Sequence, residues 1–216
     1  ISAFISNPME HAEASKIALF SIADYAWNMD AYKSDASWRR AVRYLMPGHA
    51  AALQVFASHN SDLGGNEHDF RREESEQIRP ALERLLDAYC REGKREVAAA
   101  SAVTEECERM IASADLLLAS DENPALIKEI SPWLIQFKLL GEYGREVLCM
   151  LAAQCDGKKT ELEKAASHAK ALQVLMKKID ATYNQNGFQP GVKTGSCHLK
   201  PAFDRLYQEV VQRTGK

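Results

Sequence analysis

The chain has 216 residues, 46% of them hydrophobic and 26% charged, with a formal net charge of −3. That length buries a core of its own and corresponds to one or two domains. The charge balance gives no basic field to hold nucleic acid. No apolar run approaches the roughly 18 to 20 residues that cross a bilayer, so neither a nucleic-acid nor a membrane partner is expected.

The opening, Ile1 to Ser6, is short, alternating and apolar, which reads as a strand without later partners. Asn7, Pro8 and Glu10 then give an N-cap, a proline at the first helical position and a capping-box acid. The helix they start is expected over Pro8 to Trp27, with Ile17, Leu19, Phe20 and Ile22 as its apolar surface. A second, capped by Ser34 or Asp35, runs through Trp38, Val42 and Leu45. Pro47 ends it or opens a third that carries Leu53, Val55 and Phe56 up to His59.

Asn60 to Asn66 is the strongest loop signal in the chain. The pattern from Arg71 to Glu92 is helical again, with Ile78, Leu82, Leu85, Leu86 and Tyr89 on one face and Gly93 placed as C-cap. Val97 to Ala119 and Ala125 to Gln154 follow as long helices, the second kinked or divided by Pro132. A further helix over Thr160 to Tyr183 presents Ala169, Leu172, Leu175, Met176 and Ile179. Lys200 to Arg213 is the last. Long amphipathic helices joined by short turns imply an all-α, antiparallel helical bundle.

Motifs for chemistry are scarce. The five cysteines (Cys90, Cys107, Cys149, Cys155, Cys197) are odd in number and scattered, as buried hydrophobes rather than a disulfide framework. The six histidines form no H-E-x-x-H or comparable ligand spacing, so no metal or other cofactor is expected. Gly141 and Gly144 read as sites of close helix packing. The acidic pairs Glu73–Glu74 and Glu105–Glu106 lie in charged helical runs and are expected on solvated faces. The arginines of His68 to Arg72 could hold an anion, although a surface turn accounts for them better.

Several stretches carry more specific information: SNPMEHAEASKIALFSIADYAWN from Ser6 to Asn28, HNSDLGG from His59, FRREES ending at Ser75, PWLIQFK from Pro132, and NQNGFQPGVKT ending at Thr194. In this order, they resemble glycoside hydrolase family 84, the bacterial O-GlcNAc hydrolases and hyaluronidase-like β-N-acetylglucosaminidases of the Bacteroides type. The resemblance implies that residues 1–28 are the last βα unit of a (β/α)8 barrel and residues 29–216 a C-terminal helical bundle. The opening apolar segment would then be what remains of a barrel strand. A chain that starts at Ile1 without a methionine or signal sequence is expected to be part of something longer.

What the resemblance implies for activity is retaining hydrolysis of terminal β-linked N-acetylglucosamine with the substrate's own acetamido oxygen as nucleophile, a recognised exception to the enzyme-nucleophile scheme. Two consecutive aspartates serve that mechanism, and this chain has no Asp-Asp pair. It is therefore expected to be non-catalytic alone. Only Asn7 corresponds to a sugar-binding position, as a hydroxyl ligand in the intact enzyme. Expected partners are the catalytic barrel, a glycoprotein or glycan aglycone, and a second copy through the first helix's Ile17, Leu19 and Phe20 surface. The implied parent is a periplasmic or secreted bacterial protein. The alternative function is an independent helical protein-interaction module.

Overall fold

The structure, a computed structural model, describes residues 5–6, 11–61, 73–183 and 191–215. Among these residues there are eight helices and no strand: α1 (Ala12–Trp27), α2 (Ser34–Leu45), α3 (Ala50–Ser58), α4 (Arg79–Glu92), α5 (Val97–Leu118), α6 (Pro124–Cys155), α7 (Lys159–Tyr183) and α8 (Leu199–Thr214). The all-α expectation holds. The helix start at Asn7 to Glu10, the arginines of His68 to Arg72 and most of the opening segment lie outside the described residues. Ile5 and Ser6 themselves have no regular structure.

Helix α6 is the axis of the bundle. Asn123 caps it by accepting the Leu126 N–H at 3.1 Å, and Pro124 occupies the first turn, where a missing donor costs nothing. The helix does not divide at Pro132 but runs unbroken over all 32 of its residues. Pro132 cannot donate to the carbonyl of Lys128, and the neighbouring Ser131 hydroxyl donates to that carbonyl instead, at 3.3 Å. Short turns at Ala119–Asn123 and Asp156–Lys158 fold α5 and α7 back along α6, and α8 packs on it as well.

The two glycines of α6 permit this closeness. A Cβ on Gly144 would lie 2.5 Å from a Phe203 ring carbon and 2.8 Å from the Cys107 sulfur, and one on Gly141 would meet the Cys107 carbonyl at 3.0 Å. Gly93 ends α4 in the left-handed conformation, as its C-cap position requires.

Three local expectations need correction. Helix α4 begins at Arg79 rather than Arg71, because the chain from Glu74 to Ile78 is a turn with Ser75 at φ 58° and Pro80 fits only a first turn. Ser34 is the first residue of α2, and Lys33 precedes it with no side-chain cap. On α7 the buried stripe is Leu162, Ala165, Ala169 and Met176, while Leu175 stays exposed because it falls off that spacing of three and four.

One hydrophobic core joins α2 to α8. Helix α1 contributes no buried residue to it, and only Ala14 and Ile17 pack against it from outside.

Candidate functional site: a loosely held first helix and a buried polar node

Helix α1 is attached mainly by polar and aromatic contacts. The Glu129 carboxylate of α6 accepts the backbone N–H groups of Glu13 at 3.1 Å and Ala14 at 2.9 Å, placing a negative charge on the helix N-terminus. The His11 ring meets Trp133 edge-on with centroids 4.8 Å apart, and Phe20 lies 5.9 Å from Tyr44. Ser21 and Tyr32 share a hydrogen bond of 2.8 Å, and Asp24 pairs with Arg40. The expected exposed surface is thereby corrected. Ile17, Leu19 and Phe20 are partly buried by these contacts, and the exposed large side chains of α1 are Tyr25 and Trp27, the latter 92% exposed. Ile5, Met29 and Tyr44 are exposed as well.

Below α3 lies a cluster of buried polar groups. His59 Nε2 stands 2.7 Å from Glu106 Oε1, and its Nδ1 stands 2.8 Å from Ser75 Oγ. An ionised carboxylate only accepts, so Nε2 donates the hydrogen of that bond. The other Glu106 oxygen takes the Arg109 guanidinium. Burial raises the Glu106 carboxyl, but the His59 bond together with the His59 and Arg109 charges outweighs it and holds the group below the ordinary glutamate range.

The neighbouring Glu74 is fully buried. Its carboxylate accepts the backbone N–H groups of Cys197 at 2.8 Å, His198 at 2.9 Å and Leu199 at 3.2 Å, and so caps α8 from a distant part of the chain. Ser75 N–H donates to the Ser58 carbonyl at 2.9 Å and Gly195 N–H to the His59 carbonyl at 3.1 Å. The node therefore locks the end of α3, the turn before α4, the middle of α5 and the start of α8 together. It corrects the solvated reading of two acids: Glu74 and Glu106 are inside, whereas Glu73 and Glu105 are exposed. Charge runs in a sequence do not show which member finds a buried partner.

Ser75, His59 and Glu106 align in the order of nucleophile, base and orienting carboxylate. Here Ser75 and His59 are each 2% exposed, and the adjoining cavity of about 60 Å³ is too small to admit an acyl substrate. The arrangement is a structural tie. The cysteines are not uniformly the buried hydrophobes expected: only Cys107 is buried, and Cys149 and Cys155 are exposed. Among the described residues no three His, Cys, Asp or Glu side chains come together as a metal-binding group. Asn7 lies outside the described residues.

Comparison with known proteins places this architecture. A family model described as bacterial GH84, post-catalytic domain, matches residues 74–207, well over half of the chain. The chain belongs to that family. A second model, β-N-acetylglucosaminidase, matches residues 1–58.

Solved structures agree on the fold of this post-catalytic domain. CpGH84D superposes with a TM-score of 0.79 at 27% identity, covering 95% of this chain and 34% of its own. CpGH84B gives 0.78 at 21% identity, covering 95% and 34%. A point mutant of the Thermobaculum terrenum O-GlcNAc hydrolase gives 0.69 at 19% identity, covering 97% and 42%. The chain thus spans between a third and a little over two-fifths of these proteins. The stretches that carry the family resemblance meet in the fold: His59 bonds Ser75, and Gln136 Nε2 donates to the Val192 carbonyl at 3.3 Å.

Proposed function

We propose that this post-catalytic domain buttresses the (β/α)8 barrel of a β-N-acetylglucosaminidase, with residues 1–28 completing the barrel's last βα unit and residues 29–216 forming the supporting bundle. The parent enzyme hydrolyses terminal β-linked N-acetylglucosamine with retention, assisted by the substrate's acetamido group, and takes the consecutive catalytic aspartates from its barrel. Asn7 completes the sugar site only in that whole enzyme, and the bundle lies where it can meet the aglycone.

The observation that supports this most is the state of α1. It adds nothing to the core shared by α2 to α8, yet exposes Tyr25 and Trp27. A helix anchored by Glu129 at one end and apolar on its free side suits a second apolar partner. The same contrast supports a boundary after residue 28, because α2 already places Val42 and Leu45 in the common core.

The test is association of the chain with a separately produced barrel, followed by titration calorimetry. Saturable binding weakened at least tenfold by Trp27→Ser supports the proposal, since a buried aromatic anchor is worth about 2 kcal/mol or more. No binding, or equal binding by the variant, counts against it. Sedimentation of the chain alone separates the barrel from a second copy as the occupant of that face.

A further inference from the structure

A cavity of about 480 Å³ opens between α6, α7, α8 and the segment 191–196. That volume falls in the range of small-molecule sites, roughly 300 to 1,000 Å³. Its inner wall contains Gln136, 5% exposed, and Thr194, 3% exposed. The Gln136 amide nitrogen donates to the carbonyls of Met176 at 3.2 Å and Val192 at 3.3 Å, which leaves Oε1 as the free end of the amide. Gln136 Oε1, Thr194 Oγ1 and Asp180 Oδ1 are all buried and have no hydrogen-bond partner among the described residues. All three residues line this one cavity. Buried polar atoms are rarely left unpaired, and three together require a shared explanation.

Lys177, Lys193, Ser196 and Gln208 also line the cavity but are exposed to solvent, and, those three atoms apart, the remaining polar groups engage one another. Tyr143 Oη donates to Asp204 Oδ1 at 3.0 Å and accepts from Gln173 Nε2 at 2.7 Å, and Lys200 holds the other Asp204 oxygen. What remains is acceptor-rich: an amide oxygen, a carboxylate oxygen and a hydroxyl. An occupant must therefore bring O–H or N–H donors. Lys200 is paired with Asp204, Lys177 and Lys193 are exposed to solvent, and an ionic occupant would have to shed its own hydration, which favours a neutral one. Met176, Val192 and Pro201 supply apolar wall for a C–H face.

We propose that this cavity binds a small, neutral, polyhydroxylated molecule of the hexopyranose kind. Its hydroxyls donate to Gln136 Oε1 and Asp180 Oδ1, and a third pairs with the Thr194 hydroxyl. The inference does not depend on barrel docking.

The test is methyl NMR of the full chain labelled at methionine, following Met176 while glucose and N-acetylglucosamine are titrated separately through the millimolar range. The expected result is a saturable Met176 shift with at least one sugar. Thr194→Val and Asp180→Asn, neither of which changes side-chain size much, each weaken it by about threefold to tenfold. Glucose 6-phosphate and calcium ions leave Met176 unmoved. No saturable shift with either sugar overturns the proposal even if a variant fails to fold. So does equal affinity in two folded variants, preferential binding of either ion, or a crystal grown with the sugar that shows only water on the three atoms.

Discussion

His59 Nε2 and Glu106 Oε1 face each other at 2.7 Å with both side chains almost wholly out of water. Removing one partner from such a pair leaves the other buried without compensation, which typically costs about 3 to 5 kcal/mol. Glu106→Ala is therefore expected to lower the unfolding free energy by an amount in that range. Denaturant melts check this, and a double-mutant cycle with His59→Ala should show strong non-additivity. A loss below about 1 kcal/mol would mean that the node is dispensable.

The same pair sets an acid limit. Because the folded Glu106 carboxyl lies below its ordinary range, its contribution is complete above the unfolded value and is lost as pH falls through the folded one. The stability of the wild type is thus expected to fall more steeply than that of Glu106→Gln as pH drops below about 4.3. Thermal melts from neutral pH downward read the difference in slope, and parallel slopes contradict it.

Glu74 offers a local readout. Its carboxylate serves three N–H groups at the start of α8, so Glu74→Ala leaves those donors unpaired near a buried helix end. A loss of about 2 to 4 kcal/mol is expected, given roughly 1 to 3 kcal/mol per unsatisfied buried group and partial rescue by water. Hydrogen exchange should quicken first in the opening turn of α8. Uniform acceleration through the chain would contradict a capping role.

Gly144 and Gly157 separate crowding from backbone strain. A methyl on Gly144 collides with the buried Phe203 ring and Cys107 sulfur, so Gly144→Ala is expected to cost about 1 to 3 kcal/mol. Gly157 has φ +70° but nothing within 4 Å of the added carbon. Gly157→Ala pays only the left-handed backbone, about 1 kcal/mol. Equal losses in calorimetry would contradict the close packing of α6 on α5 and α8.

Helix spacing makes most of the fold legible in the sequence. Val103, Cys107, Met110, Ala114 and Leu117 recur at intervals of three and four, and all are buried on α5. The close-packing role of Gly141 and Gly144 is also readable, because small residues one helical turn apart, in no polar motif, suit a crowded helix seam. The node is not. Glu74 and Glu106 look like their exposed neighbours in sequence, and their burial depends on partners such as Cys197 and His59, brought near only by tertiary folding. The late start of α4 escapes helical periodicity too, since the apolar spacing runs on through Pro80 and hides its place in a first turn.

We propose that this chain supports a glycosidase barrel and turns over no glycoside by itself. The most direct test is incubation of the purified chain, at high concentration, with a fluorogenic aryl β-N-acetylglucosaminide. The account predicts no release of fluorophore above buffer, with activity appearing only when a barrel carrying the aspartate pair is present. Turnover by the chain alone that survives repurification would contradict it.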